Sequence, residues 1–403
     1  MNNTSKKFSN LSIIYVSCLI SEMKYSDLFS KSEIKPGKQV QKYHRLQAEG
    51  FSESCKIETI SSLPISIVNS KRVLYFEKKE IHENVLYNYL PALNIPILKN
   101  FLTFFLSYFK TLNKCLFEKN AVVIIDVLNA SVSFGALLAC KTLNRINVGI
   151  VTDVPFYLDG GSNKLSNKLS NLIIKYCSSY IFLTQQMNNL LNKKNKPYIV
   201  VEGLVDINMR TTINLVENKG TTRICLYSGG VYKKYGLDLL VNGFILANIQ
   251  NTELHIYGDG DYKEELTKIC QTNQSIKYFG DMPNKHIVAE QIKATLLVNP
   301  RPSSEEFTKY SFPSKILEYM VSGTPMITTK LPGIPQEYYK YVYLFEIENE
   351  DEICKMLYKI LNKTDIELHE KGLTAKEFVL ANKNNRAQAL KIKSMISHIN
   401  QKS

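Results

Sequence analysis

Short apolar runs, each too brief for a helix and each followed by a segment of helical spacing, recur along the whole chain, and the series starts twice. In the first series LSIIYVSCLI (11–20), IETISSLPI (57–65), RVLYFEK (72–78), AVVIIDVL (121–128), NVGIVTDVP (147–155) and PYIVVEGLVD (197–206) read as strands. VQKYHRLQAEGF (40–51) and SFGALLACKTLN (133–144) read as helices, and SSYIFLTQQMNNLL (178–191) as a strand running into a helix. Strands covered on both faces are apolar throughout rather than alternating, and strands separated by helices imply βαβ units on a parallel sheet. The polar, unpatterned INMRTTINLVENKGTT (207–222) interrupts the pattern and reads as a linker. The series then restarts with the strand TRICLYSGG (222–230), the helix LDLLVNGFILANI (237–249) and the strand-turn TELHIYGDGD (252–261). The helix YKEELTKICQT (262–272), the strand-turns SIKYFGDM (275–282) and ATLLVNPRP (294–302), the strand TPMITTK (324–330) and the helix DEICKMLYKILNKT (351–364) complete it. At 403 residues the chain exceeds what one core of about 250–300 residues accommodates. The expected architecture is α/β, with a first doubly wound domain over 1–206 and a second over 207–384. An amphipathic helix in 385–403 is expected to return to the first domain. In such sheets ligands bind beyond the carboxyl ends of the strands.

The net charge of +13 favours an anionic partner. Its lysines are scattered rather than gathered in one run, which argues against nucleic acid. The eight cysteines form no C-x-x-C and sit mostly within apolar runs, as expected of free thiols in a reducing compartment. The opening MNNTSKKFSN and the apolar run after it carry no cleavage-like site, so a cytoplasmic location is expected. The longest apolar run, FLTFFLSYF (101–109), falls far short of the ~20 residues that span a bilayer. The stretch 84–118 is aromatic, leucine-rich and basic. It reads either as a helical hairpin packed on the sheet or as a segment lying on an anionic membrane surface at the inner face of the cell membrane. SNKLSNKLSN (162–171) reads as a loop or helix start.

The chemistry concentrates in TKYSFPSKILEYMVSGTPMI (308–327). Pro313 suits the first helical position and Gly323 the helix end, so a helix over about 313–321 is expected. The amides of Ser314 and Lys315 then lie in the first turn. They lack intrahelical partners there, and the helix dipole adds positive character. With the Ser314 hydroxyl and the Lys315 ammonium they make a diphosphate site. Glu318 shares their face one turn deeper. A carboxylate there repels phosphate but accepts hydrogen bonds from a ribose diol, and phosphate at the tip with ribose one turn along describes a nucleotide diphosphate. The alternative is a Lys315–Glu318 surface pair on an ordinary helix.

FPSKILEYMVSGTPMITTKLPGIP resembles the signature of GT-B-fold glycosyltransferases of family 4, as do YSGG (227–230), YGDGDY (257–262), YFGDMP (278–283) and NPRP (299–302). In the first half only the layout and TDVP (152–155) are similar. The resemblance implies two doubly wound Rossmann-like domains facing a cleft. It also implies a retaining, metal-independent hexosyl transfer from a nucleotide sugar, most commonly a UDP-sugar, with no cofactor. It carries Glu318 over as the ribose contact, Gly229 and Gly230 as the turn approaching the diphosphate, and the segment Gly280–Pro283, with Met282, as the base contact. Gly258 lies in the neighbouring strand-turn, and Arg301 ends a strand as a phosphate or donor-sugar contact. Where many members carry a second glutamate this chain has Tyr310, and where many carry Arg and Lys after the glycine turn it has Gly230 and Tyr235. Phosphate neutralisation is therefore expected to fall on Lys315, Arg301 and Lys234. The expected role is sugar transfer onto a lipid-linked or other glycan acceptor in cell-surface (capsule or envelope) polysaccharide synthesis, since the +13 charge and the basic, aromatic 84–118 segment suit an enzyme working at an anionic membrane face. Another GT-B enzyme, such as an epimerase or phosphorylase, and a non-enzymatic nucleotide-sugar binder are the competing readings.

Asp153 ends a strand just before Pro155, where an acceptor-side polar residue belongs, and stands with Lys315 as a candidate catalytic residue. Asp126 ends an earlier strand likewise. Asp259-Gly-Asp261 is formally a D-x-D metal motif, but a Gly-rich turn explains it better. His44 and His286 are isolated histidines, more simply structural than catalytic. No G-x-G-x-x-G fingerprint follows a strand.

Overall fold

The computed structural model describes residues 11–157 and 164–402. MNNTSKKFSN and the first two residues of the SNKLSNKLSN repeat lie outside the described residues; the rest of the repeat opens a helix. The chain divides into two units, one of residues up to Leu204 together with those from Asn385 onward, the other Val205–Asn384.

The first unit contains, in order, β1 (Ser12–Ser17), α1 (Glu22–Phe29), α2 (Lys38–Ser52), β2 (Lys56–Ser61), β3 (Leu74–Tyr75), β4 (Glu80–His82), β5 (Val85–Tyr87), β6 (Ala92–Leu93), α3 (Leu98–Phe117) and β7 (Ala121–Asp126). It continues with α4 (Ala130–Thr142), β8 (Asn147–Val151), α5 (Lys164–Tyr176), β9 (Ser179–Phe182), α6 (Gln185–Leu191) and β10 (Tyr198–Val200). Its main sheet has the order β10-β9-β8-β7-β1-β2-β5-β4, parallel except for β4, which pairs antiparallel with β5. All six residues of β7 are buried, as helices covering both faces of a parallel sheet require. Ile13 lies between Ile57 and Val122 in register. Residues 84–118 do not form a hairpin of helices. Val85–Tyr87 and Ala92–Leu93 are drawn into strand pairing, and only Leu98–Phe117 is helical.

The second unit runs β11 (Arg223–Ser228), α7 (Leu237–Ala247), β12 (Thr252–Tyr257), α8 (Lys263–Thr272), β13 (Ile276–Tyr278), α9 (Asn284–Lys293), β14 (Leu296–Asn299), α10 (Ser314–Ser322), β15 (Met326–Thr329), β16 (Tyr343–Phe345), α11 (Glu350–Leu361) and α12 (Asp365–Asn382). Its sheet is wholly parallel, in the order β13-β12-β11-β14-β15-β16. The winding reverses between β11 and β14, which makes their carboxyl ends the place where a ligand fits such a sheet. A core lies on each face. One is built from α7, α8 and α11 through Leu240, Leu266 and Leu357, the other from α10 and α12 through Ile316, Met320 and Val379.

The last helix, α13 (Asn385–Lys402), buries Ala389, Ile392 and Ile396 in the core of the first unit. It lies so close to α2 that a Cβ on Gly50 would stand 2.2 Å from the Asn385 carbonyl oxygen. Among the described residues no helix is long and apolar enough to cross a membrane. Four of the eight free cysteines are buried and four half-buried.

Candidate functional site

Helix α10 begins one residue later than its sequence predicts. Pro313 has an extended backbone (φ −69°, ψ 111°) and caps the helix, its carbonyl accepting the Ile316 N–H at 3.0 Å. Gly323 ends the helix in the left-handed region, its N–H donating to Met320. Six of the nine helical residues are buried; Ser314 is exposed, and Lys315 and Glu318 are half-buried. The polar strip that reaches solvent is therefore the one that sequence spacing places on a single face. The amides of Ser314 and Lys315 occupy the first two helical positions, for which a helix supplies no acceptor.

Lys315 does not lie out on the surface. Its Nζ donates to Tyr227 Oη at 3.0 Å and stands 4.1 Å from the centroid of that ring. A Cβ on Gly229 would be 1.3 Å from the same Nζ, so the ammonium is lodged against the glycine turn that follows β11. Burial lowers the Lys315 pKa to about 7; the nearby Glu318 charge works to raise it and Arg301 to lower it further. Tyr227, itself pushed well above its ordinary pKa by burial, donates to the Gly230 carbonyl at 2.8 Å.

The glycine turn is fixed from several sides. Gly258, at φ +130°, lets the turn after β12 approach closely: a Cβ there would meet the Gly229 oxygen at 1.8 Å. The Gly258 N–H donates to the Gly280 carbonyl at 2.8 Å, and Tyr278 Oη to the Gly258 carbonyl at 2.9 Å. From α10, Tyr319 Oη accepts the Ser228 N–H at 2.9 Å, and from α9, Gln291 Nε2 donates to Ser228 Oγ at 3.1 Å. The ends of β11, β12 and β13 and the start of α10 are thereby locked into one frame. The sequence assigns Tyr227 and Tyr319 no role of their own, although they fall within YSGG and FPSKILEYM, and it carries no signal at all for Gln291.

Where the sequence shows Tyr235 in place of a cation, the structure places two cations on its ring. The Arg301 guanidinium carbon lies 4.9 Å from the Tyr235 centroid and 4.6 Å from that of Phe307, and Lys234 Nζ lies 5.6 Å from Tyr235 and 5.3 Å from Tyr232. Lys233 instead pairs with Glu265 at 2.6 Å. Met282 and Phe279 are partly exposed beside Gly280, and Phe279 stacks on Tyr257 at 4.7 Å. The D-x-D is a turn: Asp259 pairs with Lys263 at 3.1 Å and its carbonyl accepts the Val231 N–H. Among the described residues no three His, Cys, Asp or Glu side chains converge as a metal site.

Asp153 belongs to the first unit, half-buried in the turn after β8. His44 and Asp126, read singly in the sequence, come together. His44 Nε2 lies 3.1 Å from Asp126 Oδ2 and its Nδ1 2.7 Å from Tyr15 Oη, with all three residues buried. Burial alone raises the Asp126 carboxyl, but His44, Asn129 and the Leu128 N–H outweigh it and hold the carboxyl below its ordinary range.

Residues 222–363, about a third of the chain, match the family model of glycosyl transferases group 1. None of the curated proteins matches the chain. Among solved structures it is similar to sucrose-phosphate synthase from Thermosynechococcus elongatus (14% identity, TM-score 0.66, covering 98% of this chain and 100% of that one). It is similar also to HepE of Anabaena in complex with UDP (13%, TM-score 0.63, 96% and 100%). A third is the apo form of the lipopolysaccharide outer core galactosyltransferase WaaB (15%, TM-score 0.60, 96% and 99%). The chain is thus of the group 1 glycosyl transferase type in its second unit, and over nearly its whole length it has the GT-B fold of two doubly wound α/β units.

Proposed function

We propose that the protein transfers a hexosyl group from a UDP-sugar to a lipid-linked glycan acceptor in cell-surface polysaccharide synthesis, with retention at the anomeric carbon. The observation that carries this reading is the lodging of Lys315 Nζ against Gly229, with Glu318 one turn along the same helix face. The solved complex of HepE with UDP and the galactosyltransferase WaaB support the choice of donor and of a cell-surface acceptor.

On this reading the diphosphate sits at the tip of α10, against the Ser314 and Lys315 amides and the Lys315 ammonium. The ribose diol donates to Glu318. As the bond from the anomeric carbon to the phosphate oxygen breaks, negative charge grows on the leaving diphosphate. Preorganised amides and a desolvated cation stabilise that charge most where it develops. Arg301 and Lys234, held on the Tyr235 ring, add positive potential nearby. These groups carry the neutralisation that a metal supplies in other enzymes. The acceptor oxygen forms the new bond on the face the leaving group vacates, and its proton passes to the leaving phosphate. Asp153, on the first unit, is assigned to orient the acceptor.

The test is incubation with a panel of nucleotide sugars, with and without lipid extracts. Release of UDP from one donor, accelerated by acceptor lipid, is expected. Binding without turnover under every condition contradicts an enzymatic role.

A further inference from the structure

Helix α3 is inside out. In a surface helix the large apolar side chains ordinarily face the protein and small polar ones face water. Here Thr103, Ser107, Thr111 and Cys115, four residues apart, are the buried ones. Phe101, Phe105 and Phe109, on the same spacing, are 60%, 52% and 60% exposed, and Phe117 at the helix end is 82% exposed. The cause is the neighbour. Helix α4 presents Gly135, where a Cβ would meet the Phe104 carbonyl oxygen at 2.4 Å, and Ser107 Oγ donates to the Val132 carbonyl at 2.6 Å. Only small side chains fit an approach so close, so the phenylalanines are turned outward. The chain before the helix extends the stripe. Ile97 is held at φ +68°, a region that β-branched residues rarely enter, with its side chain 71% exposed.

Positive charge predominates around this stripe; Glu118, which follows Phe117, is paired with Lys56 at 2.7 Å. Helices α3 and α4 contain Lys99, Lys110, Lys114 and Lys141 and no Asp or Glu. Lys114 is engaged by Glu58 at 2.7 Å and Lys99 by the Ile65 carbonyl, which leaves Lys110, next to Phe109, and the exposed Lys119, just past Phe117, at the phenylalanines.

From this we infer that the outer face of α3 docks the protein on an anionic lipid surface, with the phenylalanines seated at the level of the acyl chains and the lysines among the headgroup phosphates. A helix of twenty residues, about 30 Å long, lies in the plane of such a surface; no described helix is apolar enough to cross it. The excess of lysine favours an anionic lipid surface over a second copy of the chain, because a twofold partner would bring the same basic face against itself. The inference goes beyond the sugar-transfer reading and needs no activity for its test.

The full chain is sedimented with vesicles of phosphatidylcholine alone and with phosphatidylglycerol added. It is expected to bind the anionic vesicles and not the neutral ones. Replacing Phe101, Phe105 and Phe109 together by Ser should lower the partition coefficient roughly 100-fold, since that apolar area no longer leaves water. Lys110→Gln with Lys119→Gln should lower it roughly 30-fold, on anionic vesicles only. The chain contains no tryptophan, so Phe105→Trp provides a readout free of background and independent of the triple variant's folding. Its emission should shift to the blue and be quenched by lipids brominated along the acyl chain. No sedimentation of the unaltered chain with anionic vesicles, equal binding by the Phe variant, or unquenched indole emission from Phe105→Trp overturns the inference. So does a wild-type dimer that the Phe substitutions convert to a monomer while vesicle binding is absent.

Discussion

The position of Lys315 makes donor binding depend on pH in a direction that can be worked out. In the free protein its pKa is about 7, against 10.5 for an ordinary lysine, because the ammonium is desolvated over the Tyr227 ring. A diphosphate at the tip of α10 favours the charged form. Below pH 7 the cation is already present and affinity is flat. Above it each donor bound must take up a proton, and affinity falls as the fraction of free protein carrying that proton. Between pH 6 and 8.5 this factor is roughly 30, provided the bound pKa lies above that range. The effect on folding has the opposite sign. A pKa lowered in the folded state costs stability fully below 7, on the order of 5 kcal/mol, and the cost disappears as pH rises through 7 toward 10.5. The assay is calorimetric titration with a UDP-sugar, whose diphosphate is a diester and does not titrate in this range. It is run at several pH values and in buffers of different ionisation enthalpy. Proton uptake should approach one per donor bound near pH 8.5 and should vanish in Lys315→Met. A flat affinity, or an unchanged pH profile in Lys315→Met, refutes the reasoning.

Further outcomes follow from neighbouring geometry. Gly229→Ala should displace Lys315 from Tyr227, weakening donor binding by more than about tenfold and flattening its pH profile while the circular dichroism spectrum stays native. Glu318→Gln should weaken UDP binding by roughly tenfold at constant fold, as one charge-assisted acceptor for the ribose diol is lost; unchanged affinity by calorimetry removes Glu318 from the site. Asp126→Ala leaves buried His44 and the Leu128 N–H without their acceptor and should cost about 3 kcal/mol in chemical denaturation. Because the Asp126 pKa is depressed in the folded state, that difference should be complete above the ordinary carboxyl value of 3.8 and shrink as pH falls below it.

What the sequence disclosed were features carried by local pattern. AVVIID could only be a strand buried on both faces, and it is buried throughout. Pro313 and Gly323 pinned α10 to within a residue, because each acts on its own backbone. Glu318, Lys315 and Ser314 could be placed on one face from helical spacing alone. The side of α3 that faces inward could not be read this way. Its phenylalanines and its Thr/Ser row recur with the same period, and the choice between them is made by Gly135 on another helix. His44 and Asp126 lie far apart in sequence and meet only because β1 runs between β2 and β7. Tyr235 read as a lost cation; that its ring gathers Arg301 and Lys234 depends on where β14 ends, which spacing does not encode.

The most direct measurement is a crystal structure of the full chain soaked with UDP. The diphosphate should lie within hydrogen-bond reach of the Ser314 and Lys315 amides and of Lys315 Nζ, with both ribose hydroxyls donating to the Glu318 carboxylate. A diphosphate bound elsewhere in the second unit, with Lys315 still folded on Tyr227 and Glu318 untouched, contradicts this placement.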